Sequence, residues 1–320
     1  MAKRVSAARF DVSFVVPLYG KGPFIARALT SALGQTVPPH EIIVVDDGSR
    51  DDGPAIVASL ARKHTKIRLI QQNNAGPSSA RNRGIAEATG NWVAFLDADD
   101  VVLPDYLARA QRLTVAHPEA GLIATGYREV GEGEHASMAE VLASQPDTPG
   151  FVVGDAFARW RRGGFFFTSS TIVRRKELLA FDQPFPLHEK LGEDLDLWFR
   201  LAERTPFAWT PAIGTLYTVG NASSLTGAGG PADPLPAFDR LRKRAEAGGY
   251  LNAQRRDVMR LLATHWLNVA RTRAISGDTS GACALLFDPV TRHRPVYWLR
   301  SAIIVAANGV VRRAGASGRS

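Results

Sequence analysis

Residues 92–100, WVAFLDADD, join an unbroken apolar run to three carboxylates. A run of that length reads as a strand covered on both faces, the habit of a central strand in a parallel sheet. The same pattern recurs on either side. Apolar runs at 12–16, 42–45, 67–70 and 122–125 alternate with helical patterns, so the segment 11–127 reads as βαβ units in an α/β fold. Ligands of such sheets bind beyond the carboxyl ends of the strands. The residues to inspect are therefore Pro17, Leu18 and Tyr19 after the first run, Asp46, Asp47, Gly48 and Ser49 after the second, 73–76 after the third, and Asp97, Ala98, Asp99 and Asp100 after the fourth.

The helices between these strands have legible starts. Pro23, Pro54 and Pro104 suit the first helical position, Asp52 or Gly53 would cap the second helix, and Ser78 or Ser79 the third. Residues 128–150 lose the periodicity and gain Gly, Glu, Ser and Pro, which reads as a loop or insertion able to act as a lid. Beyond it the pattern predicts a helix at 155–161, a strand at 168–173, a helix at 193–204, a strand at 213–219 and a linker at 221–236. From there the chain is helical, with Val258, Leu261, Leu262, His265 and Val269 at helix spacing. The expected division is an α/β domain at 1–234 and a basic α-helical C-terminal extension at 237–320. The final apolar stretch, 296–311, is broken by Arg300 and Asn308 and falls short of the roughly 20 residues of a membrane span. It suits a helix lying on a membrane surface or packing a stripe on its neighbours.

Composition narrows the class. The chain has 320 residues, 45% apolar and 22% charged, as in an ordinary globular protein. Cys283 is its only cysteine, which excludes an internal disulfide or a cysteine-rich zinc site and suits a reducing compartment. Lys3 and Arg4 lead into Ser6, Ala7, Arg9 and Asp11, not into the apolar core of a secretory signal. The expected location is the cytoplasm, with the protein peripheral at the inner face of the membrane. The net charge of +8 is uneven: residues 1–234 hold 24 Lys and Arg against 26 Asp and Glu, and 235–320 hold 15 against 5. That asymmetry predicts an anionic membrane surface as partner of the extension. Nucleic acid is excluded because the basic tail lacks interleaved aromatics for base stacking.

An aspartate at a strand end can simply cap the next helix, and Asp46 or Asp47 alone would be read so. Two strand ends with clustered carboxylates ask for more. Asp97 and Asp99, with only Ala98 between them, repel each other unless a cation or hydrogen bonds offset their charge. Carboxylate oxygens with room for water and phosphate suit magnesium or manganese. The histidines show no ligand spacing. A loose dinucleotide fingerprint at Gly131, Gly133 and Ala136 is spoiled by Glu132 and Glu134, and the glycosylation sequon at Asn221 has no meaning without secretion.

Five ordered segments, FVVPLY at 14–19, IIVVDDGSRD at 42–51, AGPSSARNRGI at 75–85, WVAFLDADD at 92–100 and GEDLDLWFRLAER at 192–204, resemble the family 2 glycosyltransferases over residues 11–225. The resemblance implies a GT-A type, Rossmann-like and mostly parallel sheet flanked by helices. It implies inverting transfer of a sugar from a nucleotide-diphosphate donor, a UDP-sugar first, to a saccharide or lipid-linked saccharide in cell-surface polysaccharide synthesis. By the same resemblance Pro17, Tyr19 and Asp47 lie near the base, Asp46 near the nucleoside, Asp97 at the ribose, Arg81 at the nucleotide and Asp99 on Mn2+ or Mg2+. Asp194 would be the base that deprotonates the acceptor. Such chemistry needs a counter-charge for the leaving diphosphate and a base on the opposite face of the sugar. One departure stands out: 217–221 read Tyr, Thr, Val, Gly and Asn, where many relatives carry an Arg or His that assists the diphosphate. Two rival readings are a sugar-phosphate nucleotidyltransferase, which would want a Gly-rich basic loop after the first strand, and a non-catalytic nucleotide-sugar or membrane-binding module.

Overall fold

The computed structural model describes residues 9–131, 145, 148–189, 191–220 and 231–317, with side chains as far as 308. The chain divides into two compact units, Met1–Gly154 with Phe165–Ser224 and Asp155–Gly164 with Leu225–Ser320.

The first unit is built on a sheet that has nine strands among the described residues. The first four expected strands, β1 (Val12–Leu18), β2 (Glu41–Asp46), β3 (Ile67–Gln71) and β4 (Trp92–Phe95), lie parallel in the order β3-β2-β1-β4. Burial on both faces explains the near-continuous apolar sequence of β1, β2 and β4, whereas β3, at the end of the order, is largely half-exposed or exposed and carries Arg68 and Gln71. Phe14 and Val16 share a core with Ile25 and Leu29 of α1 (Gly22–Leu33), while Val15 on the other face meets α3 (Pro77–Glu87). A Cβ at Gly84 would stand 2.3 Å from Val15 Cγ1, so glycine lets α3 lie this close to β1.

Helix starts differ from expectation where proline sets them. Gly76, at φ 90°, is the N-cap of α3 and Pro77 its first residue, so Ser78 and Ser79 lie inside the helix and do not cap it. α2 (Gly53–Lys63) starts after Asp52, whose side chain makes no capping bond. Pro104 precedes α4 (Tyr106–Ala116), whose N-cap is Asp105.

The sheet continues as β4-β8-β6-β9-β5, with β5 at Val101–Val102, β6 at Leu122–Gly131, β8 at Thr171–Arg174 and β9 at Phe207–Val219. A ninth strand, β7 (Phe151–Val153), pairs with β9. β8 runs antiparallel to both β4 and β6, whereas β6 and β9 are parallel. The run at 122–125 is therefore only the buried half of β6. Its second half, 127–131, is largely half-exposed or exposed, and a search for unbroken apolar runs passes over it. Residues Thr168–Ser170 form a 3-10 turn ahead of β8, not the start of the strand. Of the expected lid, 132–144, 146 and 147 lie outside the described residues; so do 221–230 of the expected linker, with Asn221 of the sequon, and Gly133 and Ala136 of the fingerprint.

The second unit is helical: α5 (Ala156–Trp160), α8 (Pro236–Ala247), α9 (Asn252–Ser276), α10 (Thr279–Leu286), a 3-10 turn at Pro289–His293 and α11 (Pro295–Ser317). Two further helices, α6 (Arg175–Leu178) and α7 (Glu193–Ala202), belong to the first unit. Leu267 and Ala274 of α9 pack with Ala282 and Leu286 of α10 and Val305 of α11. No helix among the described residues is long and apolar enough to cross a membrane.

His265 is a packing residue. Its ring stacks on Phe238 at 3.8 Å between centroids, and its Nε2 accepts a 3.0 Å hydrogen bond from the Leu235 amide. Burial pushes the imidazole down to about 4. The unfolded chain, with an ordinary imidazole near 6.5, binds the proton first as pH falls. Stability is therefore full above about pH 6.5 and declines towards pH 4, by up to about 3 kcal/mol from this group. Urea unfolding between pH 7 and 4.5 tests this: His265→Gln should flatten the decline, and an equally steep wild-type and variant profile would assign the acid sensitivity elsewhere.

Candidate active site

The carboxyl ends of β1 and β2 are stitched together. Pro17 and Leu18 sit opposite Val45 and Asp46, and the Asp47 amide donates to the Leu18 carbonyl at 2.8 Å. Asp46 is buried, accepting from the Ser49 amide at 3.0 Å and from Gln71 Nε2 at 3.2 Å. Asp47, also buried, accepts from the amides of Ala75 and Gly76 at 2.9 and 2.8 Å and from Gln72 Nε2 at 2.8 Å. It thus fixes the loop that leads into α3. Tyr19 is 54% exposed, an open aromatic face at the end of β1.

Arg81 ties two later segments to this edge. It projects from α3, buried, with Nη2 donating to Asp97 Oδ1 at 2.7 Å and Nη1 to Glu193 Oε1 at 3.0 Å. Its guanidinium also lies 5.4 Å from the centre of the Phe185 ring. Burial works against the charged form of Arg81, yet Asp97 and then Glu193 outweigh it and raise the group above its ordinary value. Two carboxylates share that one cation, so burial and the neighbouring Asp194 leave Glu193 raised despite the pairing.

Asp99 is met by a different cation. Lys21 Nζ donates to its Oδ2 at 2.6 Å, and its carbonyl accepts from Arg27 Nη2 at 2.9 Å and from the Thr218 hydroxyl at 2.6 Å. The repulsion expected between Asp97 and Asp99 is thus offset by Arg81 and Lys21. Asp100 is fully buried, accepting from the Ser169 hydroxyl at 2.6 Å and the Thr218 amide at 3.0 Å. Burial, with Asp97 and Asp99 adding, pushes its carboxyl well above the usual range.

Asp194 opens α7 beside Glu193. Its Oδ2 accepts from the Thr168 hydroxyl at 2.9 Å and its Oδ1 from the Leu195 amide at 2.8 Å. The next residue in the 3-10 turn, Ser169, accepts from the Asp97 amide at 3.0 Å. One turn therefore touches the strand-end aspartates and the α7 carboxylate. Next to it Phe167 packs against Tyr127 and Tyr217, each at 4.8 Å between centroids, and all three rings are half-buried.

Arg81, Asp97, Asp99 and Asp194 are thus gathered by one set of contacts, while Pro17, Tyr19, Asp46 and Asp47 line the neighbouring β1 and β2 ends without touching it. Asp100 stood among the strand-end carboxylates without a role assigned to it, and Lys21, Arg27, Thr168 and Ser169 were not singled out by sequence. Only the last two carried a signal, the hydroxyl run at 168–171. Among the described residues no cluster of three or more His, Cys, Asp or Glu could hold a metal by itself. A single carboxylate such as Asp99, here paired with Lys21, suits magnesium or manganese only where phosphate oxygens and water complete the shell.

A family model described as glycosyl transferase family 2 matches residues 13–179. Among curated proteins, the chain is 32% identical to a putative glycosyltransferase, EpsH, of Bacillus subtilis over 59% of this chain and 54% of that one. It is 33% identical to the succinoglycan biosynthesis protein ExoO of Rhizobium meliloti over 67% of this chain and 62% of that one. The match spans little more than half of the length of these relatives. Among solved structures, S. aureus TarS 1–349 in complex with UDP-GlcNAc aligns with a TM-score of 0.65 at 18% identity, over 95% of this chain and 92% of that one. A mannosyltransferase of Pyrobaculum calidifontis in complex with GDP-Man and Mn2+ aligns with a TM-score of 0.53 at 19% identity, over 91% and 86%. At such identities the structural likeness is one of fold, the GT-A type.

Proposed function

We propose that this chain, which belongs to glycosyl transferase family 2, moves a sugar with inversion from a nucleotide-diphosphate donor to the hydroxyl of a saccharide or lipid-linked saccharide. The observation that carries the reading is the Arg81 bridge between Asp97 and Glu193, with Asp194 one residue further on. It joins the nucleotide edge of the sheet to a carboxylate on another helix, as a two-substrate site requires. A UDP-sugar is the favoured donor, in line with the UDP-GlcNAc held by the TarS neighbour, and cell-surface polysaccharide synthesis is the favoured setting, in line with the succinoglycan relative.

In this reading Tyr19 stacks on the base, Asp46 and Asp47 shape its pocket, and Asp97 meets the ribose. Asp194, steadied by Thr168, takes the acceptor proton from the face opposite the leaving group. Lys21 and Arg27 supply positive charge near Asp99, the assistance that the missing Arg or His after β9 would otherwise give. Tyr127, Phe167 and Tyr217 offer an aromatic face for the acceptor sugar. Bound manganese or magnesium on Asp99 would neutralise the departing diphosphate. The basic second unit faces an anionic membrane.

The test is a screen of nucleotide sugars with manganese, read by thermal shift and nucleotide release; no shift and no release with any of them would sink the reading. A sharper expectation concerns Asp99→Ala, which should abolish manganese-dependent donor binding in calorimetry. Lys21→Gln should do the reverse for the ion alone and raise manganese affinity, because the ammonium no longer competes for Asp99. Metal-dependent donor affinity unchanged in Asp99→Ala would take this residue out of the site.

A further inference from the structure

The second unit contains a cavity of about 370 Å³ lined by Arg161, Arg260, His293, Arg294, Pro295 and Val296. Four of those six side chains are basic and none is acidic. Arg161 has a buried Nε with no hydrogen-bond partner among the described residues. Arg294 reaches Thr264 Oγ1 at 3.4 Å and lies 5.2 Å from the centre of the Tyr297 ring, while Arg260 meets Asp257 only at 3.5 Å.

The cations weigh on one another. Burial, then Arg292, Arg255 and Arg260, push the His293 imidazole down, and burial with Arg161 does the same to Arg294. Like charges brought together in a concavity favour an anion that enters it. α11 begins at Pro295, which has no N–H, and the Trp298 amide bonds the Arg294 carbonyl at 2.7 Å, so the Val296 and Tyr297 amides are the first-turn donors without an intrahelical partner and add positive potential at the rim.

An apolar stripe starts where the basic lining stops. Val296 lines the cavity and is 69% exposed, and Leu299 and Ile303, at 57% and 62%, follow at spacings of three and four residues on one face of α11. A cationic concavity continuous with exposed hydrocarbon matches a single ligand that is anionic at one end and apolar at the other. We propose that this pocket binds the phosphate monoester of a lipid, with the hydrocarbon along Val296, Leu299 and Ile303. A monoester suits four basic side chains because it is close to doubly charged at neutral pH. The inference rests on the second unit facing a membrane and is independent of glycosyl transfer.

The test uses the full chain and phosphatidylcholine vesicles doped with phosphatidic acid or, at matched charge, with phosphatidylglycerol. Phosphatidic acid vesicles should bind more tightly. Replacing Arg161 and Arg294 together by Gln should weaken that binding about thirtyfold, two basic residues' worth. Removing equal charge from the exposed surface, Lys243→Gln with Arg256→Gln, should leave the preference for phosphatidic acid intact. Should the double pocket variant fold poorly, Arg294→Gln alone gives the same direction, and the His293 ring resonances of the wild type should move on vesicle binding. Equal binding of the two anionic lipids, or pocket variants that keep the preference, would overturn the pocket while leaving a membrane-facing surface. His293 responding to inorganic phosphate with no vesicle bound would overturn the lipid assignment.

Discussion

Asp194→Asn is expected to lower sugar transfer by roughly a hundred- to ten-thousandfold while donor affinity stays nearly constant. The substitution keeps size and shape but removes the basic carboxylate. Asp194 now accepts at both oxygens, from Thr168 and Leu195. An Asn amide can satisfy Leu195 through its oxygen and donate through its nitrogen to the Thr168 hydroxyl, which can accept as well as donate. The local fold should therefore survive. Glu193→Gln is the informative neighbour, since Glu193 is engaged with Arg81; it should loosen donor binding and spare the transfer step. Measuring both quantities on one preparation decides the matter. Near-normal transfer by Asp194→Asn, or its complete loss in Glu193→Gln, would move the base elsewhere.

Arg81→Met should have the largest effect on the fold of the site. The guanidinium is the shared partner of Asp97 and Glu193, whose side chains are largely withdrawn from water. Removing one side of such a pairing costs about 3–5 kcal/mol, because the carboxylates stay behind without a counter-charge. Donor affinity should fall with it, since Asp97 loses the group that orients it. Combining Arg81→Met with Glu193→Leu should recover part of the stability, with a coupling on the order of 1–3 kcal/mol. Urea denaturation of the two single variants and the double variant reads this directly. Strict additivity, or a loss below about 1 kcal/mol for Arg81→Met, would show that the bridge does not hold the site.

The parallel half of the sheet and its strand-end aspartates were readable because burial on both faces writes an unbroken apolar run, as at 92–95 and 42–45. β6 was readable only in its buried half. The partners of the aspartates were harder. Lys21 follows a strand end and Arg27 lies on a helix, where a basic residue ordinarily marks a solvated surface; nothing in their spacing says that they meet Asp99 across 78 and 72 positions. Arg81 was found through family resemblance, yet its link to Glu193 spans 112 positions and had no sequence signature. The segment 155–164 showed a helix but gave no sign that it packs with the C-terminal helices rather than with the sheet.

β8 runs against β4, so it starts where β4 ends: Ile172 lies opposite Ala94 and Arg174 opposite Trp92. The residues that lead into it are thereby delivered to the same edge as the aspartates, though they come from a stretch of chain about 70 positions later. Those after β9 return there too, through Thr218. Strands β1 to β4 and the turns after them carry one set of the candidate site residues, and the stretch 165–220 carries the other. The two sets are not independent: Ser169, Glu193 and Thr218 touch Asp97, Arg81, Asp99 and Asp100, so any redrafting of the approaches to β8, α7 and β9 has to keep those three residues to leave the first set as it is. In the proposed reading, a chimera that grafts residues 165–220 from a relative should take the acceptor preference of the graft and keep the donor preference of the host as long as Ser169, Glu193 and Thr218 are retained.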